Sequence, residues 1–187
     1  MSLLTEIAMK NSPFVVCDHP TPYTDFNAAA YMGVWYEQNH TRDQIFQSNT
    51  DVCTTANYHD LTDEGHFVVD NTGQDENFGA RKGITGDVYC PDKTGHCYVT
   101  FYTQPRIPNY IVVETDYESY SIVYACGGLE SVLWLLTRDP VPSDDLYNYM
   151  LATAAEKVPH YDLSRLNTRD YQGPKCSYAK SAMEFLQ

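Results

Sequence analysis

The stretch Asp25-Phe-Asn-Ala-Ala-Ala-Tyr-Met-Gly-Val-Trp-Tyr-Glu37 decides the fold. It leads into a predicted β-strand, Gly33–Arg42, with Trp35 close to its start. Seven further segments are rich in Val, Ile, Tyr, Phe and Thr, which are enriched in strands. They are Asp51–Leu61, His66–Asn71, Gly79–Cys90, His96–Gln104, Tyr110–Tyr117, Tyr120–Cys126 and Val132–Arg138.

Turn residues separate these segments at short intervals. The clearest turns are Asp63-Glu64-Gly65, Asn71-Thr72-Gly73, Pro91–Gly95 and Gly127-Gly128. Regularly spaced strands with short connections pair in an antiparallel meander. The pattern therefore predicts an all-β protein, either a sandwich or an up-and-down barrel.

One helix is predicted after the strands, over Ser143–Val158. Ser143 is a suitable N-cap, and acidic residues in the first turn complement the helix dipole. Apolar residues then recur at helical spacing on one face, at Tyr147, Met150, Leu151, Ala154 and Val158. We expect this stripe to pack against the outside of the sheet.

Length and charge exclude several classes of protein. The 187 residues suit a single domain, and the net charge of −13 disfavours binding to nucleic acid or to anionic membranes. No apolar stretch is long enough to span a membrane. Met1–Lys10 lacks the pattern of a signal peptide as written.

The six cysteines indicate disulfides and an oxidising compartment, since none forms a C-x-x-C pair typical of zinc or thioredoxin-like sites. No metal site is expected. Cys90 and Cys97 flank a tight turn and are expected to clamp that hairpin. Asn39-His40-Thr41 is the N-glycosylation sequon of the chain, which is compatible with secretion but also arises often by chance.

Three short motifs, taken together, resemble the lipocalin family over residues 17–176. The first is the opening stretch with its Gly-x-Trp, Gly33-Val34-Trp35. The second is the turn Thr115-Asp116-Tyr117, between the sixth and seventh strands. The third is Arg138, which ends the eighth strand just before the helix. The resemblance implies a closed eight-stranded antiparallel up-and-down β-barrel with one C-terminal α-helix packed outside.

The resemblance also implies how the barrel is closed at its base. The matching Trp and Arg stack on each other in the family, which would pair Trp35 with Arg138 through a cation–π contact. We expect these two residues to be structural, as are those of the accompanying motifs, Gly33, Thr115, Asp116 and Tyr117. No catalytic residue is predicted.

Residues 113–126 are similar to the subgroup of apolipoprotein D, insect bilin-binding proteins and crustacyanins. The subgroup's disulfides would match Cys17–Cys126 and Cys53–Cys176, leaving Cys90–Cys97 as an added bond. The implied organisation is one domain, with an irregular arm over 1–24, the barrel over 33–138, the helix over 143–158 and a tail over 177–187. Membership also implies a secreted, extracellular protein.

The function implied by this resemblance is binding and transport or storage of a small hydrophobic ligand in the barrel. The expected ligand is a conjugated pigment, either a carotenoid or a biliverdin-type tetrapyrrole, and no cofactor for catalysis is expected. The abundant tyrosines, 16 in all, suit a flat ligand. By analogy with the family, the residues expected to face the cavity are Ala56, Tyr58, Tyr110 and Trp134.

Three alternatives remain open. The ligand could be a fatty acid or a steroid. The chain could be a lipocalin-type enzyme, although each of the six cysteines can be assigned a disulfide partner and the histidines form no catalytic constellation. Haem ligation by His59 or His66 is a minor variant. The protein could also act as a subunit of a homo- or hetero-oligomer.

Overall fold

The computed structural model describes residues 16–178 except Pro22, Asp43, residues 45–46, residues 103–104, Arg106 and residues 128–129. Within these residues, eight strands form one closed antiparallel barrel. Each strand is hydrogen-bonded to the next in chain order, and the last strand returns to pair with the first. This confirms the predicted up-and-down barrel and decides against the sandwich.

The strands follow the predicted segments closely. They are β1 Gly33–His40, β2 Val52–His59, β3 His66–Gln74, β4 Arg81–Tyr89, β5 His96–Thr100, β6 Tyr110–Thr115, β7 Tyr120–Gly127 and β8 Glu130–Thr137. The fifth strand ends at Thr100, short of the predicted end at Gln104, which lies outside the described residues. Met1–Lys10, most of the N-terminal arm and most of the C-terminal tail also lie outside them.

The predicted turn at Asn71-Thr72-Gly73 is wrong, because β3 continues through it to Gln74. Thr72 pairs with Thr55 of β2, and their hydroxyl oxygens are 2.8 Å apart. The actual turn begins at Asp75, whose carboxylate accepts hydrogen bonds from backbone amides of the next residues. These amides belong to Asn77, Gly79 and Ala80. An acidic side chain that collects several turn amides is a stronger turn signal than the Asn-Thr-Gly sequence.

Two α-helices among the described residues flank the barrel. The short helix α1, Ala28–Tyr31, is capped by Asn27, whose side chain accepts from the backbone amide of Ala30. The long helix α2, Asp144–Lys157, confirms the predicted helix, and the hydroxyl of Ser143 accepts from the amide of Leu146 at its N-cap. Short 3-10 turns lie at Pro91–Lys93 and Leu163–Arg165.

The described apolar residues divide into two clusters. The outer cluster lies between α2 and the sheet, and it includes Leu133, Leu135, Met150 and Ala154. The inner cluster lies inside the barrel. Its buried members are Phe26, Tyr31, Trp35, Ala56, Tyr58, Phe67, Val69, Val88, Cys90, Cys97, Val99, Val112, Val123 and Leu136. Consecutive β8 residues therefore alternate between helix and barrel interior, as expected for a strand.

A segment after α2 completes the barrel wall near the end of β1. Strand β2 pairs with β1 only over Gly33–Tyr36, so the remaining edge of β1 is free of β2. Residues 166–172 lie along that edge. Thr41 and Leu166 form a β-bridge, and the backbone amide of Asp170 donates to the carbonyl of Gln38 at 2.8 Å. This segment brings the carboxyl of Asp170 next to His40 of β1, whereas Leu166 packs against the outer cluster.

All six cysteines lie in the described part of the chain and form Cys17–Cys126, Cys53–Cys176 and Cys90–Cys97. The first two bonds join residues 109 and 123 positions apart, and the third closes a separation of only 7. Across the described residues, no helix has the length and apolar character needed to cross a membrane.

The position of Asn39 argues against a glycan at this sequon in the folded protein. Asn39 is 1% exposed, its amide nitrogen donates to the carbonyl of Asn167, and its side-chain oxygen accepts from the Tyr147 hydroxyl. A glycan on that nitrogen would have to displace both α2 and the C-terminal segment. The folded barrel has no room for it.

Candidate functional site

Trp35 lies at the end of the barrel where β1 begins, which we call the base. Its side chain is fully buried, and its indole nitrogen donates to the carbonyl of Tyr31 at 3.0 Å. The guanidinium carbon of Arg138 lies 3.7 Å from the centroid of the indole ring. The same guanidinium donates to backbone carbonyls around the base, at Ala30, Tyr31, Met32, Val34 and Tyr117. Arg138 thus ties the approach to β1 to the turn after β6.

That turn is ordered by the second sequence motif. The carboxylate of Asp116 accepts from the backbone amides of Glu118, Ser119 and Tyr120. These bonds lower the pKa of Asp116 against the opposing effect of burial. The hydroxyl of Thr115 donates to the carbonyl of Tyr120 and closes the turn. The side chains of Thr115 and Asp116 form hydrogen bonds with backbone groups of the turn, as expected for structural residues.

Above the base lies a chain of four hydroxyl groups. Tyr31 contacts Ser121 at 2.8 Å and Tyr110 at 2.9 Å, and Tyr110 contacts Tyr58 at 2.7 Å. Burial raises the pKa of Tyr31 to about 12 and raises the pKa values of Tyr58 and Tyr110 well above their ordinary value. All three tyrosines therefore stay neutral hydrogen-bonding groups at physiological pH.

The four residues expected to face the cavity all belong to the inner cluster. Ala56 and Tyr58 are almost fully buried, whereas Tyr110 and Trp134 are only partly buried. Tyr58 lies opposite Gly33 in the β1–β2 register, near the base, and Trp134 lies opposite His40 at the far end of β1. The structure therefore brings Tyr58 and Tyr110 together and keeps Trp134 apart from them.

Phe101 is an inner residue that the sequence did not suggest. It is partly buried against the inner cluster, just beyond the end of β5. A Cβ atom built on Gly86 would lie 2.8 Å from the Phe101 ring, so the ring needs a glycine beneath it on β4. A glycine within a predicted strand was the available signal.

A buried polar cluster lies at the end of β1 opposite the base. The imidazole Nδ1 of His40 is 2.8 Å from Glu37 Oε1 and 3.7 Å from Asp170 Oδ2. Gln47 donates to Glu37 at 2.6 Å, and Asn167 donates to Asp170 at 2.6 Å. We call Glu37, His40 and Asp170 the β1 ionic cluster. The side chains of all three are nearly or fully buried.

Within the β1 ionic cluster, attraction between the charged groups and burial of those groups shift the pKa values of His40 and Glu37 in opposite directions. Burial by itself lowers the pKa of His40, but the neighbouring Asp170 and Glu37 outweigh it and raise the pKa to about 10. Burial raises the pKa of Asp170. Glu37 is also desolvated, but its hydrogen bond and attraction to His40 lower its pKa. The arrangement holds His40 as an imidazolium beside an ionised Glu37.

One ligand atom from each of these three residues lies within 4.8 Å of the others, so the described residues include one group that could hold a cation. In the observed geometry, however, the contact between Nδ1 and Glu37 is a hydrogen bond. The imidazolium already neutralises the ionised carboxylate. Burial raises the pKa of Asp170 to about 8, so its carboxyl is neutral at physiological pH and the cluster is charge-compensated as it stands.

Because of a β-bulge in β1, the alternating pattern of the sequence does not predict the β1 ionic cluster. Glu37 and His40 are three residues apart and would face opposite sides of a regular strand. The β1–β8 register shifts between Glu37 and Asn39, which places one additional residue in β1. Asn39 then faces α2, while His40 pairs with the inner residue Trp134. The bulge had no signal in the local sequence.

The other candidate histidines lie elsewhere. Both ring nitrogens of His59 contact carboxylates, Asp60 and Asp70, each at 3.0 Å. The His66 side chain is 45% exposed and stacks on Tyr89. These surroundings occupy both nitrogens of His59 with carboxylates and leave His66 on the surface, so neither is arranged as an inward haem ligand.

Comparisons with known proteins agree with this architecture. Residues 26–171 match the family model of the lipocalin-like domain. The outer membrane lipoprotein Blc of Escherichia coli (strain K12) is 30% identical over 176 residues, which cover 88% of this chain and 95% of Blc. Apolipoprotein D of Bos taurus is 30% identical over 128 residues, covering 67% of this chain and 63% of that protein.

Solved structures show the same fold. Insecticyanin from the tobacco hornworm Manduca sexta superposes with a TM-score of 0.69 at 23% identity, covering 89% of this chain and 92% of insecticyanin. Lobster apocrustacyanin A1 superposes with a TM-score of 0.64 at 20% identity, covering 84% of this chain and 93% of apocrustacyanin. At these identities the likeness establishes the barrel and its external helix.

Proposed function

Because the chain belongs to the lipocalin-like family, we propose that it binds and carries a small hydrophobic molecule inside the barrel. The observation that carries this proposal is the set of partly buried aromatic side chains in the inner cluster, Phe101, Tyr110 and Trp134. They lie above a base that is closed by a fully buried Trp35. Large aromatic faces above a closed base suit an apolar guest.

We further propose that the guest is a conjugated pigment of the carotenoid or biliverdin type. Flat conjugated molecules stack well on aromatic walls. The similarity of residues 113–126 to the subgroup of bilin-binding proteins and crustacyanins points the same way. Within this proposal, Ala56, Tyr58, Tyr110 and Trp134 contact the ligand, and Trp134 contributes the largest apolar surface.

The proposed site of action is extracellular, and the proposed role is carriage. Three disulfides among the described residues suit an oxidising compartment. No described cysteine has a free thiol, so a cysteine nucleophile is not part of the proposal. Fatty acid or steroid carriage remains the alternative, and it makes a different spectroscopic prediction.

The test is a binding titration monitored by tryptophan fluorescence and visible circular dichroism. The purified protein is titrated separately with biliverdin, canthaxanthin, palmitate and progesterone. A pigment carrier should bind at least one of the first two with quenched fluorescence and an induced visible band. Binding of palmitate or progesterone alone would replace the pigment with a lipid, and no binding by any of the four would reject carriage of these ligand classes.

Two variants locate the bound ligand. Trp134→Ala should weaken binding by roughly 1–3 kcal/mol, because it removes a buried apolar contact surface. Leu135→Ala is the matched control, since Leu135 is the next residue of β8 but packs in the outer cluster. It should lower stability and leave affinity unchanged. Equal affinities of wild type and Trp134→Ala would place the ligand elsewhere.

A further inference from the structure

His40 and Trp134 are cross-strand partners on the inner side of the barrel. They lie opposite each other in the β1–β8 register, and paired residues of antiparallel strands project from the same face. Trp134 belongs to the inner cluster and is only partly buried. A molecule that reaches Trp134 therefore lies beside the imidazole of His40.

The two ring nitrogens of His40 have different surroundings. Nδ1 is hydrogen-bonded to Glu37 Oε1 at 2.8 Å, and Asp170 Oδ2 lies 3.7 Å from it. Nε2 is buried, and no hydrogen-bond partner for it exists among the described residues. Buried polar groups are almost always paired, and an unpaired buried N–H is costly. Among the described residues, Nε2 is therefore a buried donor that is left available to a bound molecule.

We propose that Nε2–H of His40 donates a hydrogen bond to a carbonyl oxygen of the bound ligand, beside Trp134. This inference rests on the proposed function and narrows its ligand class to apolar molecules whose end next to His40 carries a neutral ketone, lactam or ester oxygen. The hydrogen bond would also fix the orientation of the ligand, with its carbonyl end near the far end of β1.

The charges around His40 explain why the acceptor is neutral. Glu37 already compensates the imidazolium through a 2.8 Å contact, and Asp170 lies 3.7 Å from the same nitrogen. A carboxylate on the ligand would add a further negative group to this desolvated cluster, inside a chain whose net charge is −13. A carbonyl oxygen accepts from Nε2 without adding charge.

The neighbouring carboxylates also keep the donor in place. An imidazolium carries a proton on both nitrogens, so Nε2 can only donate a hydrogen bond. A charged donor forms a stronger hydrogen bond than a neutral one. Glu37 and Asp170 therefore act as positioning residues, because they orient the ring and hold its charge, while His40 makes the contact.

The test uses three retinoids with one polyene skeleton and different end groups. These probes are methyl retinoate with a neutral ester, retinoic acid with a carboxylate, and axerophtene with no oxygen. Each is titrated into wild type, His40→Asn and His40→Gln with tryptophan fluorescence as the readout. Gln retains an N–H near the position of Nε2, whereas Asn does not.

Wild type should bind methyl retinoate at least tenfold more tightly than either other probe. His40→Asn should lose this preference, and His40→Gln should retain part of it. A second readout uses wild type alone: the infrared band of a ¹³C-labelled ester carbonyl should move to lower frequency on binding. This readout remains available if His40→Asn fails to fold.

Two results would overturn the inference while leaving the proposed function intact. One is equal affinity of wild type for the ester and the hydrocarbon, together with an unshifted carbonyl band. The other is tighter binding of retinoic acid than of its ester. If none of the three probes binds, this inference fails; the proposed function is judged separately by its own titration.

Discussion

The guanidinium of Arg138 lies 3.7 Å above the indole of Trp35, and the two side chains close the base of the barrel together. The planar guanidinium covers the ring with one face and directs its N–H groups outward to surrounding carbonyls. These carbonyls belong to segments more than 100 residues away in sequence as well as to the nearby β6–β7 turn. Cation–π attraction and backbone capping therefore depend on one side chain.

Replacing Arg138 with Lys should destabilise the protein by roughly 1–3 kcal/mol. Lysine keeps the positive charge but cannot cover the indole and reach several carbonyls at once, so buried acceptors lose their donors. Urea denaturation measures the change in free energy of unfolding. Arg42→Lys is the control, because the guanidinium of Arg42 makes an exposed hydrogen bond to the carbonyl of Ser164, and it should change stability little. Equal effects of the two variants would contradict a special role for the Arg138 guanidinium.

The hydroxyl chain predicts an asymmetry between two tyrosines. Tyr110→Phe takes away the hydroxyl that pairs with the buried Tyr58 and removes one of two hydroxyl contacts from Tyr31. Tyr58→Phe removes only the last hydroxyl of the series, and the hydroxyl of Tyr110 keeps its contact with the hydroxyl of Tyr31. We expect Tyr110→Phe to cost about 1–3 kcal/mol and Tyr58→Phe about 1 kcal/mol. Thermal denaturation in the absence of ligand would reveal the ranking, and the reverse order would show that the chain is not a stabilising unit.

The disulfides should differ in their effect on stability because of the chain lengths that they close. Cys53–Cys176 spans 123 residues and Cys90–Cys97 spans 7. In the chain-entropy account, the disulfide that closes the longer loop restricts the unfolded chain more. Its contribution to the free energy of unfolding exceeds that of Cys90–Cys97 by roughly 2 kcal/mol. Paired Cys→Ala variants compared by urea denaturation test this ranking. A larger loss for the short bond would mean that local packing outweighs loop entropy.

The fold was predictable because its signals are repeated along the chain. Residues Leu133–Leu136 alternate between two apolar environments, and Ser143 marks the beginning of α2 within one residue. Trp134 is predicted on the inner face from this alternation, and it belongs to the inner cluster. Period-two patterning separates the two faces of a strand from the order of its residues alone.

The β1 ionic cluster was not predictable in this way. Its members come from β1 and from a segment about 130 residues later, and a bulge changes the face of His40. Asn39 failed as a glycan site for a related reason, since its partners Tyr147 and Asn167 are distant in sequence. Strand periodicity carries no information about such contacts. They depend on where the C-terminal segment lies along β1.

The β1 ionic cluster has a defined consequence for stability as a function of pH. Its partners raise the pKa of His40 from 6.5 to about 10, so the folded protein keeps a proton that the unfolded chain loses above pH 6.5. Burial raises the pKa of Asp170, which acts in the same direction. Glu37 has a lowered pKa and therefore acts in the opposite direction, but only in the acidic range. The stabilisation from His40 is complete below pH 6.5 and is lost as the pH rises towards about 10.

We therefore expect the free energy of unfolding to fall between about pH 7 and about pH 9.5. The slope should be about 1.4 kcal/mol per pH unit above about pH 8, where His40 holds the one retained proton, and steeper below it, where Asp170 holds a second. Urea denaturation at intervals of half a pH unit measures this slope. His40→Gln removes the titrating imidazole and should flatten the profile, even though its stability at neutral pH is lower. His66→Asn is the matched control, because the His66 side chain is 45% exposed on the surface, and its profile should follow wild type. A wild-type profile that is flat over this range would show that His40 does not retain its proton in the folded barrel, and the imidazolium assigned to the β1 ionic cluster would be wrong.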